Sequence, residues 1–318
     1  MGSASVAELV VARASALRFY SPYYFLRQLP LEWQQQLFGT GAATRWGQQQ
    51  GEEVYFSRAT YPEVRWLWQH LPWDSAYFAT PMVRLFTGLF GPDATVEQLA
   101  QSAEALCKHL GSLYTDFYAF SIVPAEDPRL FQALTSAGWR LVETRLTFYR
   151  DQLADFRCPV HAVRAAAATE AGQIGRIAAA ARNPYDRFHA DPWFGQSRAD
   201  AYLARYAENT VSAGLASTVL VPDEPDLPVD SFLAISDLRH DDMAVRIRLS
   251  RVLLTAVGPA NRGWHFKLTA ETLRRAQALG HEAVLMTTQA TNHAVFRTAE
   301  KLGFRLGATS HVLACDGR

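Results

Sequence analysis

The chain has 318 residues, enough for two cores of about 150 residues each. Its 49% hydrophobic and 19% charged residues make the composition of a globular protein. With 31 Lys plus Arg against 31 Asp plus Glu, the formal net charge is zero, which excludes a long electrostatic footprint for nucleic acid or anionic membrane and leaves room only for a local basic patch.

Residues 1 to about 50 are aromatic and Gln-rich, and "SPYYFLRQLPLEWQQQLF" predicts short helices broken at Pro22 and Pro30 in an extension packed on the first domain. Glu8 interrupts the first apolar stretch, Val6 stands where a myristoylation pattern needs Ser or Thr, and no apolar run reaches the ~18 residues that span a bilayer. The expected location is therefore the cytoplasm. From "EEVYFSRA" onward, strand and helix signals mix until "FYRDQLADFRCPV" changes character, dividing the chain into domains 1–157 and 158–318. Cys107, Cys158 and Cys315 are far apart, with neither C-x-x-C spacing nor a nearby histidine pair, so three reduced thiols are expected and no disulfide framework or zinc site.

The second half opens on a short strand and an Ala-rich helix in "CPVHAVRAAAATEAGQIGRIAAAARN", followed by the aromatic loop "NPYDRFHADPWFGQSR" and a helix, "ADAYLARYAENTVSAG". Strands "ASTVLVPD" and "SFLAISDLRH" flank a turn-rich linker, and a long strand, "AVRIRLSRVLLTAV", leads to Gly258-Pro259. A helix to Gly280, the strand "EAVLMTTQ", the helix "NHAVFRTAEKLG" and a final strand pair around "FRLGATSHVLA" complete the order. Alternating strands and helices predict a mixed sheet covered by helices. In the long strand Val245, Ile247 and Leu249 give way to Val252, Leu254 and Ala256, a change of phase. An extra residue near Ser250-Arg251 keeps one face buried; a strand buried on both faces is the alternative.

The chain also repeats itself. "NHAVFRTAEKLGFRLGATSHVL" from residue 292 lies over "DPRLFQALTSAGWRLVETRLTF" from residue 127 at a constant offset of 165. Phe296 falls on Phe131, Gly303 on Gly138, Phe304 on Trp139, Arg305 on Arg140, Leu306 on Leu141 and Thr309 on Thr144. A shared Gly after a helix arises by chance, but these identities at one offset point to duplication. The first copy has no equivalent of "NRG" before its helix, since "FGPDATVEQLA" offers an ordinary Asp/Thr cap. A ligand loop at residue 262 would thus belong to the second half alone.

Several of these features occur together in one known family. Val257-Gly258-Pro259, the helix opening at Arg262-Gly263, the stop at Gly280, the strand "AVLMTTQ", and Asn292 followed eleven residues later by Gly303-Phe304 resemble the GNAT acyltransferase superfamily. "PWDSAYF", "NPYDRFHADPWF" and "TTQATNHAVFR" are similar to its sugar N-acetyltransferases, such as dTDP-fucosamine acetyltransferase, where a degenerate first domain precedes an active second one. The resemblance implies an α/β (α+β) chain of two GNAT-like domains, each a mixed, mostly antiparallel twisted sheet flanked by helices, the first truncated. It implies transfer of an acetyl group from acetyl-CoA to the amine of a small molecule, such as an amino sugar or nucleotide-linked amino sugar, without a metal. The rival readings are a GNAT-shaped binding or scaffold protein without turnover, and a tandem-GNAT transferase acting on a non-sugar amine, as mycothiol synthases do. A small-molecule partner is expected, with neither nucleic acid nor membrane, and a homodimer is compatible with the sequence.

By position, Arg262, Gly263, Trp264, His265, Phe266 and Lys267 correspond to the family's pyrophosphate loop, with His265 and Lys267 standing where the family places glycine or alanine. Such side chains either crowd the phosphates or, as a lysine and a protonated imidazole, add charge. Thr255, Ala256 and Val257 match the strand that pairs with the pantetheine arm, or are plain sheet residues. Asn292 matches a cofactor-contacting position and equally suits a helix N-cap. Ala299 occupies the place, seven residues after that Asn, where many relatives carry a tyrosine that protonates the departing thiolate. For the acceptor side, Arg187 is the candidate for a substrate phosphate, with Tyr185 and His189 beside it, and His189, Tyr185 and Asp191 are the catalytic candidates. The alternative is an aromatic surface loop whose charges cap helices and each other.

Overall fold

The computed structural model describes residues 4–47, 53–57, 63–242 and 245–317. Two units emerge: Met1–Thr144 with Ala308–Arg318, and Arg145–Gly307.

The first unit contains α1 (Val6–Leu17), α2 (Leu31–Phe38), α3 (Thr40–Gly47), β1 (Glu53–Ser57), β2 (Val64–His70), α4 (Pro72–Phe78), β3 (Met82–Phe90), α5 (Val96–Leu113), β4 (Phe117–Pro124), α6 (Pro128–Ser136) and the start of β5 (Arg140–Arg150). A reciprocal Ser5–Glu8 capping box starts α1, and α2 begins directly after Pro30, whose fixed φ suits a helix start. Leu99, Ala103, Leu106 and Leu110 recur at helical spacing on α5 and bury that face against Trp66, Leu85 and Val123 of the sheet.

The second unit takes the rest of β5, then β6 (Val163–Ala165), α7 (Ala171–Ala180), α8 (Arg187–Ala190), α9 (Gln196–Ser212), β7 (Thr218–Pro222), β8 (Ser231–Asp242), β9 (Val245–Val257), α10 (Trp264–Ala278), β10 (Ala283–Gln289), α11 (His293–Lys301) and the start of β11 (Arg305–Gly317). Its sheet runs β5-β10-β9-β8-β7-β6, antiparallel except for the β9–β10 pair. Helices cover both faces, which is why Phe232, Leu233, Ala234 and Ile235 of β8 form an unbroken apolar run. Leu233 and Ile235 pack under α10 with Leu268 and Leu273, while Phe232 and Ala234 pack with Ile174 of α7 and Ala207 of α9.

β9 contains the expected bulge, two residues beyond the expected place. Ala234 pairs with Leu254 and Ile235 with Val252, so Leu253 is the extra residue. Leu249, opposite Leu238, and Leu254, opposite Ala234, thereby share one face, whereas Val252 joins the opposite core.

The units do not divide at 157/158. Arg145–Arg150 of β5 pair with Val284–Gln289 of β10, and Ser310–Gly317 of β11 pair with Phe117–Pro124 of β4. Each half therefore gives its last strand to the other's sheet. The repeat aligned both strands, β11 being one continuous strand where a strand pair was expected, but it carries no information about which edge they join.

The likeness between the two halves extends further than the sequence alignment. Met82–Leu85 run parallel to Tyr118–Ser121 as Leu249–Val252 run parallel to Ala283–Met286. In both copies the next residue is the bulge: Phe86, skipped between Leu67↔Thr87 and Trp68↔Leu85, and Leu253. Asp127 caps α6 as Asn292 caps α11, and Gly138 and Gly303 follow those helices with φ of 86° and 69°.

Candidate active site

In the second unit the parallel ladder between β9 and β10 runs from Leu249↔Ala283 to Val252↔Met286. β9 continues to Val257 and β10 to Gln289, with no further pairing between them among the described residues. The bulge at Leu253 bends β9 away at the residue where pairing ends. Thr255, Ala256 and Val257 keep their β8 partners Leu233, Phe232 and Ser231, so their other backbone edge faces the opening gap. The Thr255 hydroxyl donates to the Phe232 carbonyl at 3.0 Å.

The turn after β9 is held from beneath. Gly258 N donates to the Asp230 carbonyl at 2.6 Å, and Ala260 N to Asp230 Oδ2 at 2.9 Å. Buried Asn261 accepts from Asp230 N and Ser231 Oγ at 3.0 and 2.8 Å and donates to the Pro228 carbonyl at 3.1 Å. A Cβ at Gly258 would meet the Asp230 carboxylate at 2.2 Å, so this position requires glycine. Gly263, at φ 86°, then turns the chain into α10 as a cap without a side-chain acceptor. Phe266 N donates to the Gly263 carbonyl at 3.3 Å, and the two N–H groups before it, with the positive end of the helix dipole, are left for another partner. The first unit differs: Thr95 Oγ1 accepts from Gln98 N, and Gln98 Oε1 accepts from Thr95 N, closing the start of α5 with its own side chains.

A cavity of about 560 Å³ lies at this turn, and Gly258, Arg262, Gly263, His265, Arg297 and Lys301 are among the residues lining it. Three cations converge on it, and no carboxylate is found among its described lining residues. Arg297 and Lys301 sit one turn apart on α11 and were not picked out from the sequence; their signal is the i,i+4 pair of cations on the helix after the splayed strand.

The loop residues behave individually. Arg262, Gly263, His265 and Phe266 line the cavity, whereas Trp264 is buried in the core. Lys267 extends elsewhere, its Nζ 2.9 Å from Glu224 Oε1 and 4.3 Å from the Trp264 ring centroid, so it neither crowds the cavity nor adds charge to it. His265 Nδ1 is 3.0 Å from Thr298 Oγ1. The Thr298 hydroxyl donates to the Ala294 carbonyl at 3.2 Å, so the network assigns the ring proton to Nδ1 and leaves Nε2 as a buried acceptor without a partner among the described residues. Burial pushes its pKa down to about 4. The imidazole is neutral at pH 7, so of the two alternatives read from the sequence it does not add charge. Asn292 serves as the N-cap of α11, accepting from Val295 N at 3.3 Å and donating to Thr288 Oγ1 at 3.1 Å. Ala299 is fully buried in the core beneath α11 and supplies no acid.

The acceptor-side candidates stand around α8. Asp186 caps that helix and places Oδ2 2.6 Å from His189 Nδ1, while Asp200 Oδ1 lies 3.1 Å from Nε2. Burial alone would lower the His189 pKa, but the two carboxylates outweigh it and the net shift is upward. With both nitrogens engaged and the proton favoured, His189 is an ion-paired brace rather than a proton acceptor. Arg187 is buried with its guanidinium 4.4 Å from the Phe188 ring centroid, and buried Asp191 accepts from Trp193 N at 3.1 Å. Tyr185 is 56% exposed, the most open of these four side chains. Asn183, two residues earlier, donates to Gln289 Oε1 at 2.6 Å and fastens this loop to the end of β10.

The chain matches no protein-family model and no curated protein. Among solved structures it resembles a GCN5-related N-acetyltransferase from Sphaerobacter thermophilus, at 13% identity and a TM-score of 0.55, over 99% of this chain and 95% of that one. It also resembles a functionally unknown conserved protein from Staphylococcus epidermidis, at 13% identity and a TM-score of 0.51, over 78% and 90% of the two chains. A tandem GNAT protein from the clavulanic acid biosynthesis pathway aligns at 14% identity and a TM-score of 0.46, over 80% and 79%. The first two likenesses establish the fold, a mixed α/β architecture with mostly antiparallel sheets flanked by helices. No described helix is long and apolar enough to cross a membrane.

Proposed function

We propose that the second unit binds acetyl-CoA and transfers its acetyl group to the amine of a small molecule. The observation that carries this reading is the conjunction at one place of a bulged strand splayed from its parallel neighbour, an open helix start at Gly263, and a cavity ringed by Arg262, Arg297 and Lys301. The residues fit the cosubstrate. The α10 start and the three cations would hold its phosphates, and the free edge of Thr255 to Val257 would pair with its amide-bearing arm. When bound, acetyl-CoA supplies an activated acyl group; the chain's own part is to fix that group beside the gap and bring an amine to it. Tyr185 and the Asn183–Gln289 link border the acceptor side, and amino sugars, including nucleotide-linked ones, are the first class of amine to test. This chemistry needs no proton-donating side chain at Ala299, because a thiolate is an adequate leaving group.

A second reading, a GNAT-shaped binding protein without turnover, is favoured by two observations: His189 is locked between two carboxylates, and Ala299 offers no acid. Calorimetric titration with acetyl-CoA, followed by thiol release with a panel of amines, separates the two. The transferase reading expects one acetyl-CoA per chain and amine-dependent thiol release. Binding without release supports the second reading, and absence of binding overturns the transferase reading.

A further inference from the structure

Cys107 and Cys315 are 208 residues apart in the chain, yet their sulfurs are 3.3 Å apart as free thiols. Cys107 lies on α5 and is half-buried; Cys315 lies on β11, buried in the core shared by Leu106, Phe117 and Trp139. Both carriers are fixed, α5 by its packed apolar face and β11 by its ladder to β4. The sulfurs need to approach by only about 1.2 Å to reach bonding distance.

We propose that this pair is a modification site for hydroperoxides, in which Cys107 is oxidised first and Cys315 resolves it to a disulfide tying β11 to α5. The roles follow from the surroundings. Cys107 is the less buried of the two; Cys315, its pKa pushed up by burial, keeps its proton and donates it to Cys107, and that hydrogen bond favours the Cys107 thiolate against burial and the nearby Glu104. The Cys107 sulfur attacks one peroxide oxygen, the O–O bond breaks, and sulfenic acid forms with release of water. The Cys315 sulfur then attacks that sulfur, the S–S bond forms as S–O breaks, and hydroxide leaves with the Cys315 proton as a second water. Two thiols are oxidised and one hydrogen peroxide is reduced. Cys158, in the second unit, serves as an internal control.

The test is dilute hydrogen peroxide on the folded wild-type chain, followed by alkylation, peptide mapping and thiol titration in denaturant. The expected result is a cross-linked Cys107–Cys315 peptide and a fall from three titratable thiols to one, reversed by dithiothreitol. The thermal midpoint should rise by several degrees, because the bridge closes a long loop of the unfolded chain. Cys158→Ser should cross-link normally, whereas Cys107→Ser and Cys315→Ser should not. Oxidation confined to Cys158, or Cys107 advancing to sulfinic acid beside an unmodified Cys315, would overturn the proposal. The wild-type map decides the matter even if a variant fails to fold.

Discussion

His265 couples the candidate site to acidity through the unfolded state. Its pKa is about 4 in the folded chain against an ordinary 6.5, so below pH 6.5 the unfolded chain binds the proton and the folded chain does not. Stability from this group is therefore complete above pH 6.5 and is lost as pH falls towards 4, by at most on the order of 3 kcal/mol. Urea unfolding at pH 7 and pH 4.5 should show a larger loss for wild type than for His265→Asn. Charge at the cavity is tested by alanine substitution: Arg297→Ala should weaken acetyl-CoA binding about tenfold, whereas Lys267→Ala, whose partner is Glu224, should change it less than about twofold. Equal losses in the titration would contradict the different directions of these side chains. The sequence made Arg262 and Gly263 legible because they belong to a backbone turn with a local signature. It could not separate Lys267 from Arg297, because side-chain direction depends on Glu224 and on the face α11 turns to α10, both set by tertiary packing.

At the level of elements, the turn into α10 depends on one left-handed residue. A Cβ at Gly263 would meet no atom within 4 Å, so Gly263→Ala strains only the backbone. The expected cost is about 1 kcal/mol, read from the urea midpoint, without physical obstruction of the cavity. The bulge in β9 illustrates how far an element can be read in advance. A change of apolar phase required an extra residue somewhere after Leu249, but Val252 is apolar too and serves the opposite core, so alternation alone could not select Leu253. The matching bulge at Phe86 was hidden for a similar reason: β3 is buried along nearly all its length and shows no phase to break.

For the whole molecule, the first unit has used its own splayed strands to anchor α1. Buried Arg13 donates from Nε to the Gly88 carbonyl at 3.1 Å, two residues past the Phe86 bulge as Thr255 is past Leu253, and it pairs with Asp127 at the counterpart of Asn292. Tyr20 donates to the same carboxylate at 2.8 Å. Arg13→Ala should destabilise the chain by about 3–5 kcal/mol in chemical denaturation, because Asp127 would stay buried without its cation. Pairing it with Asp127→Asn should recover part of that loss, a recovery absent if the ion pair is incidental. The helices and strands of the second half were legible one by one and those of the first only as mixed signals, but the division at 157/158 was not, since it is the destination of β5 and β11 that defines the units. That exchange imposes an order on synthesis. While the chain is growing, the first unit has an open β4 edge that can be closed only after residues 310–317 have left the ribosome, whereas the second unit's β5 is made before the sheet that receives it. The half made first is thus the half completed last, and a ribosome stalled between the two would display β4 to whatever strand came near.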